Sequence, residues 1–281
     1  GRPYRQGARF CTFCGAALAP GVLSQGQTLA GRYRISGIVG GGGMGAVYRA
    51  VDINLPTREE PEGRSCAIKA ILDTNDPELL AAAASEREML IRLDHPNIVR
   101  IYDIVNQGNV PFIVMALVRG TGWKQLLEQQ GRRFSPEAAV NLVLGILPAF
   151  RYLHHRMPPV VYRDFKPGNA IQVKEDDGAL REVLIDLGTA IEYVPGQRVQ
   201  AWGTPGYAPP EIRGVVEQTP AMDLYTIVSA LAELAGLDLD AWQDGGVPPR
   251  DRWPIPDELY DLIARGRSRN PAERFDTIDD L

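Results

Sequence analysis

Two short stretches carry residue types at a spacing suited to phosphoryl transfer: YRDFKPGN, from Tyr162 to Asn169, and IDLG, from Ile185 to Gly188. A carboxylate within reach of a hydroxyl can orient it and accept its proton, which makes Asp164 a candidate catalytic residue. A lysine two positions on, Lys166, can neutralise charge on a moving phosphoryl group. The amide oxygen of Asn169 and the carboxylate of Asp186 are hard oxygen ligands of the kind magnesium takes. Any one of these aspartates could be a solvated turn residue. Four such positions in this order are hard to reach by coincidence.

The elements that must hold these residues can be read from local pattern. RYRISGIVGGGGMGAVYRAVD, Arg32 to Asp52, fits G-x-G-x-x-G-x-V through Gly40, Gly42, Gly45 and Val47. Its β-branched and aromatic flanks predict strand, glycine turn, strand. A dinucleotide fingerprint would need a helix after the glycines, and a Walker loop would need GK[ST]. A flap over a nucleotide fits instead, although a plain glycine-rich hairpin turn would read the same way. Lys69 follows on the strand Ser65 to Ile71. A lysine among buried apolar neighbours needs an anionic partner. A nucleotide phosphate and a helix glutamate, Glu86 with Glu88 as the fallback, could supply one. The alternative is an edge lysine facing solvent.

Asp76 to Leu93 is predicted as a helix, opened by Asp76 and Pro77. Strands are predicted at Ile98 to Val105 and Pro111 to Val118. From Gly120 the pattern turns helical, with segments at Ser135 to Arg156, Asp223 to Gly236 and Pro256 to Arg269. Ser135, Pro136 and Glu137 form a helix start. The fold class is therefore α+β: a strand-rich lobe with one main helix, then a helix-rich lobe. The domains are expected as a cysteine segment and linker at 1–30, the first lobe and its hinge at 31–118, and the second lobe at 119–281.

With 44% hydrophobic and 23% charged residues, the composition is that of a globular protein. The net charge of -5 argues against nucleic acid as a partner. No apolar run reaches the roughly 20 residues that span a bilayer, so no membrane segment is expected within this stretch; an anchor outside it is left open. No secretory signal opens the chain. Three cysteines are too few for a disulfide scaffold. A reducing, cytoplasmic setting is expected.

On these motifs the chain resembles the eukaryotic-type (Hanks-type) protein kinases, over about residues 33 to 281. HPNIV (His95 to Val99), GTPGYAPPE (Gly203 to Glu211), DLYT (Asp223 to Thr226) and NPAERF (Asn270 to Phe275) line up as further landmarks. The resemblance implies the bilobal kinase fold, with ATP and Mg2+ (or Mn2+) as cofactors and proteins as substrates. It implies transfer of the ATP γ-phosphoryl group to protein hydroxyls. Lys166 is typical of serine/threonine-specific members. ATP is expected between the lobes, walled by Val39, Val47, Ala67 and Ile171. Backbone groups near Ala116 and Leu117 would hold the adenine, with Met115 behind it, and Gly40 to Gly45 with Lys69 would hold the phosphates. The family pairs the positions of Glu211 and Arg274, and braces its catalytic loop from the position of Asp223. Within the family the chain is similar to the soluble actinobacterial protein kinase G branch, through a cysteine knuckle, ILPAFRYLH, VVYRDFKP, LIDLG and GTPGY.

The chain departs from the family pattern at Tyr162, where histidine is expected, and at Leu187, Ala116 and Pro209. These lie outside the phosphate and metal chemistry, but Tyr162 bears on how the catalytic loop is braced. A pseudokinase or nucleotide-binding scaffold is the alternative reading, and a small-molecule kinase on a related fold is a third. The latter fits poorly with PPE and NPAERF. Arg163 is the type of residue that often pairs with a phosphorylated segment, yet residues 191–203 contain no serine or threonine. Activity independent of phosphorylation there is therefore expected.

CTFCG places Cys11 and Cys14 as half of a zinc or iron knuckle. A structural zinc site takes four ligands, and a second pair is expected upstream of Gly1. Two free or disulfide-linked cysteines are the alternative.

Overall fold

β-branched runs in the first part of the chain and helix-capping signals in the second produce two units. They are seen in a computed structural model that describes residues 23–42, 45–70, 89–108 and 110–281. The first unit comprises the chain up to Leu93 together with Arg100–Leu117. Among the described residues its six strands are β1 (Thr28–Leu29), β2 (Tyr33–Gly42), β3 (Gly45–Asp52), β4 (Arg64–Ala70), β5 (Ile101–Gln107) and β6 (Val110–Ala116). They form one antiparallel sheet in the order β1-β2-β3-β4-β6-β5.

Alternation along these strands separates two sets of residues. Tyr48, Ile68 and Val114 lie opposite one another and enter a core with Leu29, Tyr33 and Phe112. The intervening positions form the other face: Val47 opposite Lys69, Lys69 opposite Ile113, and Ala67 opposite Met115. At the end of β3 the Asp52 carboxylate is fully buried and accepts from Arg32 Nε (2.8 Å) and Nη2 (2.7 Å). Burial alone would raise this carboxyl, but Arg32 and the Asn54 N–H outweigh it and hold it below the usual carboxylate range.

One expected strand starts later than its pattern suggests. The strand expected from Ile98 begins at Ile101, because Ile98 bridges Leu184 in parallel and the Val99 N–H donates to the Leu184 carbonyl (2.8 Å). A period-two pattern does not say which partner draws a residue into a ladder. Of the helix expected over 76–93, residues 89–91 are helical, with Met89 and Leu90 buried. The remainder lies outside the described residues.

The second unit comprises Asp94–Val99 and Val118–Leu281. Its helices are α1 (Trp123–Gln129), α2 (Pro136–His154), α3 (Pro220–Leu234) and α4 (Asp257–Gly266). The α2 helix starts as expected: the Ser135 hydroxyl accepts from the Ala138 N–H (3.2 Å) and Pro136 takes the first turn. It buries Ala139, Leu142, Val143, Ile146, Phe150 and Leu153, a helical stripe. Short strands follow: β7 (Thr121–Gly122), β8 (Val160–Val161), β9 (Ala170–Lys174), β10 (Leu180–Leu184), β11 (Ile191–Glu192), β12 (Val199–Gln200) and β13 (Val215–Val216). Strands β10, β9 and β7 form a small sheet. The Glu182 side chain of β10 crosses Gly145 of α2, where a Cβ would stand 2.6 Å from its Cγ. It accepts from Trp123 Nε1 (2.5 Å) and Gln172 Nε2 (2.8 Å). Burial raises this carboxyl.

The α3 helix is buried almost all round, as expected of a helix at the centre of its unit. Beside it Arg267 is fully buried and donates to the carbonyls of Gly206 (3.1 Å), Gly246 (3.0 Å) and Trp242 (2.7 Å), and to Ser229 Oγ (2.5 Å). Losing one partner of a buried bond costs about 1–3 kcal/mol. Arg267→Met, which strands three carbonyls, is expected to lower stability by about 3 kcal/mol or more. An unchanged urea midpoint would contradict this.

Candidate active site

The second unit holds the first set of candidate residues. Strand β8 pairs with β11, Val161 opposite Ile191. The chain between them leaves β8, turns through Tyr162–Asn169, runs out and back along β9 and β10, and returns through Ile185–Ala190. This arrangement brings the YRDFKPGN and IDLG loops side by side.

A single carboxylate organises the first loop. Asp223, in the first turn of α3, has no exposed surface. Its Oδ2 accepts from the Tyr162 N–H (2.8 Å) and His154 Nε2 (2.9 Å), and its Oδ1 from the Arg163 N–H (2.8 Å). Arg163 takes φ 74° and Asp186 takes φ 66°. Side chains in this region are uncommon and cost about 1–3 kcal/mol each, so they persist where surroundings over-determine them. Here the bonds to Asp223 supply the constraint for Arg163.

Asp164 is buried, 2% exposed. Lys166 Nζ donates to its Oδ2 (2.7 Å) and to Thr204 Oγ1 (2.7 Å), and the Thr204 hydroxyl donates to Asp164 Oδ1 (2.6 Å). Carboxylate, ammonium and hydroxyl thus close a triangle. Asn169 Nδ2 donates to the Asp164 carbonyl (2.8 Å), which leaves its amide oxygen for a cation. The Asn169 carbonyl accepts from the Ile185 N–H (2.9 Å), tying Asn169 to the residue before Asp186.

Tyr162 adds a second tie between the loops. Its hydroxyl donates to the Ile185 carbonyl. Burial pushes its proton affinity well above the ordinary phenol range, and the nearby Asp186, Asp164 and Asp223 add to this. It therefore stays a neutral donor. The ring sits edge-on to Phe150 (5.7 Å) and Phe165 (6.3 Å). The histidine of the family pattern is thus replaced by a group that packs into an aromatic cluster and bonds the IDLG loop directly. Glu211 and Arg274 form the implied pair, with bidentate bonds of 2.6 and 2.9 Å.

Contacts that the sequence did not reveal surround Arg163. Its Nε donates to the Thr189 carbonyl and its Nη1 to Gln218 Oε1 (3.3 Å). Gln218 is 2% exposed and follows no motif. Next to Thr204, an open cavity of about 310 Å³ is lined in part by Trp202, Pro205, Pro209, Ile212, Arg213 and Asp244.

In the first unit, Val47, Ala67, Lys69 and Met115 share the non-core face by register. Gly40 pairs with Val47, and Gly42 with Gly45, closing the hairpin. Val39 is 51% exposed, Lys69 is half-buried, Ala67 and Met115 are buried, and Ala116 and Leu117 are half-buried. Ile171 lies on β9 of the second unit, opposite Gly122 and Val183. Glu86, Glu88, Cys11 and Cys14 lie outside the described residues. Among the described residues no cluster of metal-ligating side chains is found and no helix is long and apolar enough to cross a membrane.

Comparison with known proteins agrees with this architecture. Residues 33–242 match the protein kinase domain family. The chain is 34% identical to the serine/threonine-protein kinase PknG of Mycolicibacterium smegmatis, over 100% of this chain and 35% of that protein. It is 33% identical to the serine/threonine-protein kinase PkaB of Streptomyces coelicolor, over 89% of this chain and 61% of that protein. The chain thus spans about a third of the PknG relative's length. The crystal structure of the PknI kinase domain of Mycobacterium tuberculosis superposes with a TM-score of 0.71 at 21% identity, covering 92% of this chain and 95% of that one. That likeness bears on the fold. The strand-rich unit, the helical unit, the ordered motifs and the match over 33–242 agree: this chain belongs to the protein kinase domain family, among relatives that are bacterial serine/threonine kinases.

Proposed function

We propose that the chain transfers the γ-phosphoryl group of ATP to serine and threonine hydroxyls of proteins. The observation that carries this reading is the Asp164 carboxylate, held at 2.7 Å from Lys166 and 2.6 Å from the hydroxyl of Thr204. A substrate hydroxyl at that carboxylate would be oriented by Asp164 and would give up its proton to it. Its oxygen then bonds to the γ-phosphorus while the bond to the leaving ADP oxygen breaks. Lys166 offsets the negative charge of the moving group. Asn169 and Asp186, one amide oxygen and one carboxylate, suit Mg2+ or Mn2+ as hard oxygen donors. The ion, when bound, would neutralise phosphate charge.

Val39, Gly40, Gly42, Gly45, Val47, Ala67, Lys69, Met115, Ala116, Leu117 and Ile171 are proposed to contact the nucleotide, with Glu86 pairing Lys69. Support comes from the shared face of Val47, Ala67, Lys69 and Met115. The cavity beside Thr204 is proposed to take the substrate chain next to its hydroxyl. The similarity to PknG supports placement in that branch, and the CxxC supports a zinc or iron half-site at Cys11 and Cys14. A cytoplasmic setting fits Cys66, a buried free thiol pushed up to about 12 by its burial.

The test is transfer of radiolabelled γ-phosphate, with Mg2+, to a protein acceptor such as myelin basic protein, followed by phosphoamino-acid analysis. Label on serine and threonine is expected. Asp186→Asn is expected to lose about 10²-fold or more. Nucleotide binding with no transfer by the unaltered chain would refute the reading.

A further inference from the structure

Three residues ahead of the catalytic carboxylate's partner Lys166, Arg163 is gripped by the same stretch of chain that grips its backbone. Gln218 and Asp223 stand on either side of the α3 start: Asp223 holds the Arg163 N–H, and Gln218 Oε1 accepts from its guanidinium at 3.3 Å. The other end of the Gln218 amide donates to the Trp202 carbonyl at 3.0 Å. Trp202 lies two residues before Thr204, whose hydroxyl contacts Asp164 and Lys166. One buried side chain therefore spans the catalytic loop and the segment that carries Thr204.

The neighbouring contacts extend the same junction. Glu217 Oε1 accepts from the Tyr193 hydroxyl (2.8 Å) and the Gly196 N–H (3.0 Å). Strand β12 pairs with β13, the Ala201 N–H donates to the Gly214 carbonyl (2.7 Å), and Arg198 donates to the Val215 carbonyl (2.6 and 3.1 Å). Residues 193–202 are thus stitched at several points to residues 214–218, and residues 191–203 contain no serine or threonine.

We propose that Glu217 and Gln218 form a built-in latch that holds residues 191–204 against the catalytic loop, making Gln218 a positioning residue for transfer without any phosphoryl group on the segment. This rests on the kinase reading above. The chemistry calls for an amide. Gln218 accepts from the Arg163 guanidinium and donates to the Trp202 carbonyl, and glutamine does both from one neutral group. Glutamate would keep the acceptor but lose the donor, setting a carboxylate oxygen against the Trp202 carbonyl. Leucine would fill the space and supply neither.

The experiment compares phosphatase-treated and autophosphorylated wild type with Gln218→Leu, Gln218→Glu and Glu217→Ala. Steady-state kinetics are measured for ATP and for an acceptor peptide, alongside nucleotide affinity and thermal midpoint. The latch predicts equal wild-type rates, within about twofold, in both treatments. It predicts that Gln218→Leu loses about tenfold or more in kcat for the peptide, the scale of a slightly misplaced reacting group, while the KM for ATP stays within about twofold. Gln218→Glu should recover only part of that loss. Glu217→Ala acts at the segment's exposed end and should lower peptide kcat/KM about threefold with the fold intact. The proposal is overturned by Gln218→Leu at the wild-type rate, or by nucleotide affinity falling together with kcat, which marks a structural role only. A wild type that works only after Tyr193 is phosphorylated also overturns it. A wild type as inactive as Asp164→Asn in every treatment would instead overturn the kinase reading itself.

Discussion

Asp164→Asn is expected to reduce phosphoryl transfer by about 10³-fold while leaving nucleotide affinity within about twofold. The substitution keeps the shape of a side chain that is 2% exposed and packed among formed contacts, so the fold should survive. The Thr204 hydroxyl can still donate to the remaining amide oxygen. What disappears is the negative charge that Lys166 faces at 2.7 Å and that, in the proposed transfer, an incoming hydroxyl would use as its proton acceptor. Single-turnover transfer and nucleotide titration, done on the same preparation, separate the two effects. Transfer within about tenfold of wild type would remove Asp164 from the role of base.

Asp223→Asn should produce the second large effect, through geometry rather than charge transfer. The native carboxylate accepts three bonds, from the Tyr162 and Arg163 amides and from His154. An amide presents one oxygen, so at least one buried N–H faces another N–H. The loss is expected to be about 2–3 kcal/mol of stability, the scale of one unmade buried bond. It falls on Arg163, whose φ of 74° depends on that grip. Relaxation there shifts Asp164, the next residue. A fall in kcat of about 10²-fold is expected. Chemical denaturation gives the first quantity and quenched-flow transfer the second. A variant that loses stability but keeps its rate would show that the loop holds its shape without Asp223.

The parts legible in the sequence were those whose chemistry or local geometry demands a spacing. Asp164, Lys166 and Asn169 stand at fixed offsets because one short loop carries them, and Asp186 follows the β9–β10 hairpin. The start of α2 was readable because Ser135 and Pro136 act on their own backbone. Residues that act on distant chain left no such mark. Gln218 works through the Arg163 guanidinium and the Trp202 carbonyl, and nothing around it in the sequence indicates either partner. Tyr162 was visible only as a departure, and its bond to Ile185 required the structure. Ile98 looked like the start of a strand because alternation records which face a residue takes, not which neighbour it meets. Its partner, Leu184, lies far along the chain.

The alternation in β3 and β4 has a consequence for how this protein can fail. Alternate residues of one strand pair specify two different things: Tyr48 and Ile68 build the interior, while Val47, Ala67 and Lys69 face the other way. Sliding β4 by one position would exchange the two sets at once, driving the Lys69 ammonium inward and Ile68 out. A single-residue insertion or deletion there should therefore yield no well-folded but silent enzyme. Structural integrity and competence would be lost in one step, so quality control that recognises only misfolded chains would also clear the inactive ones.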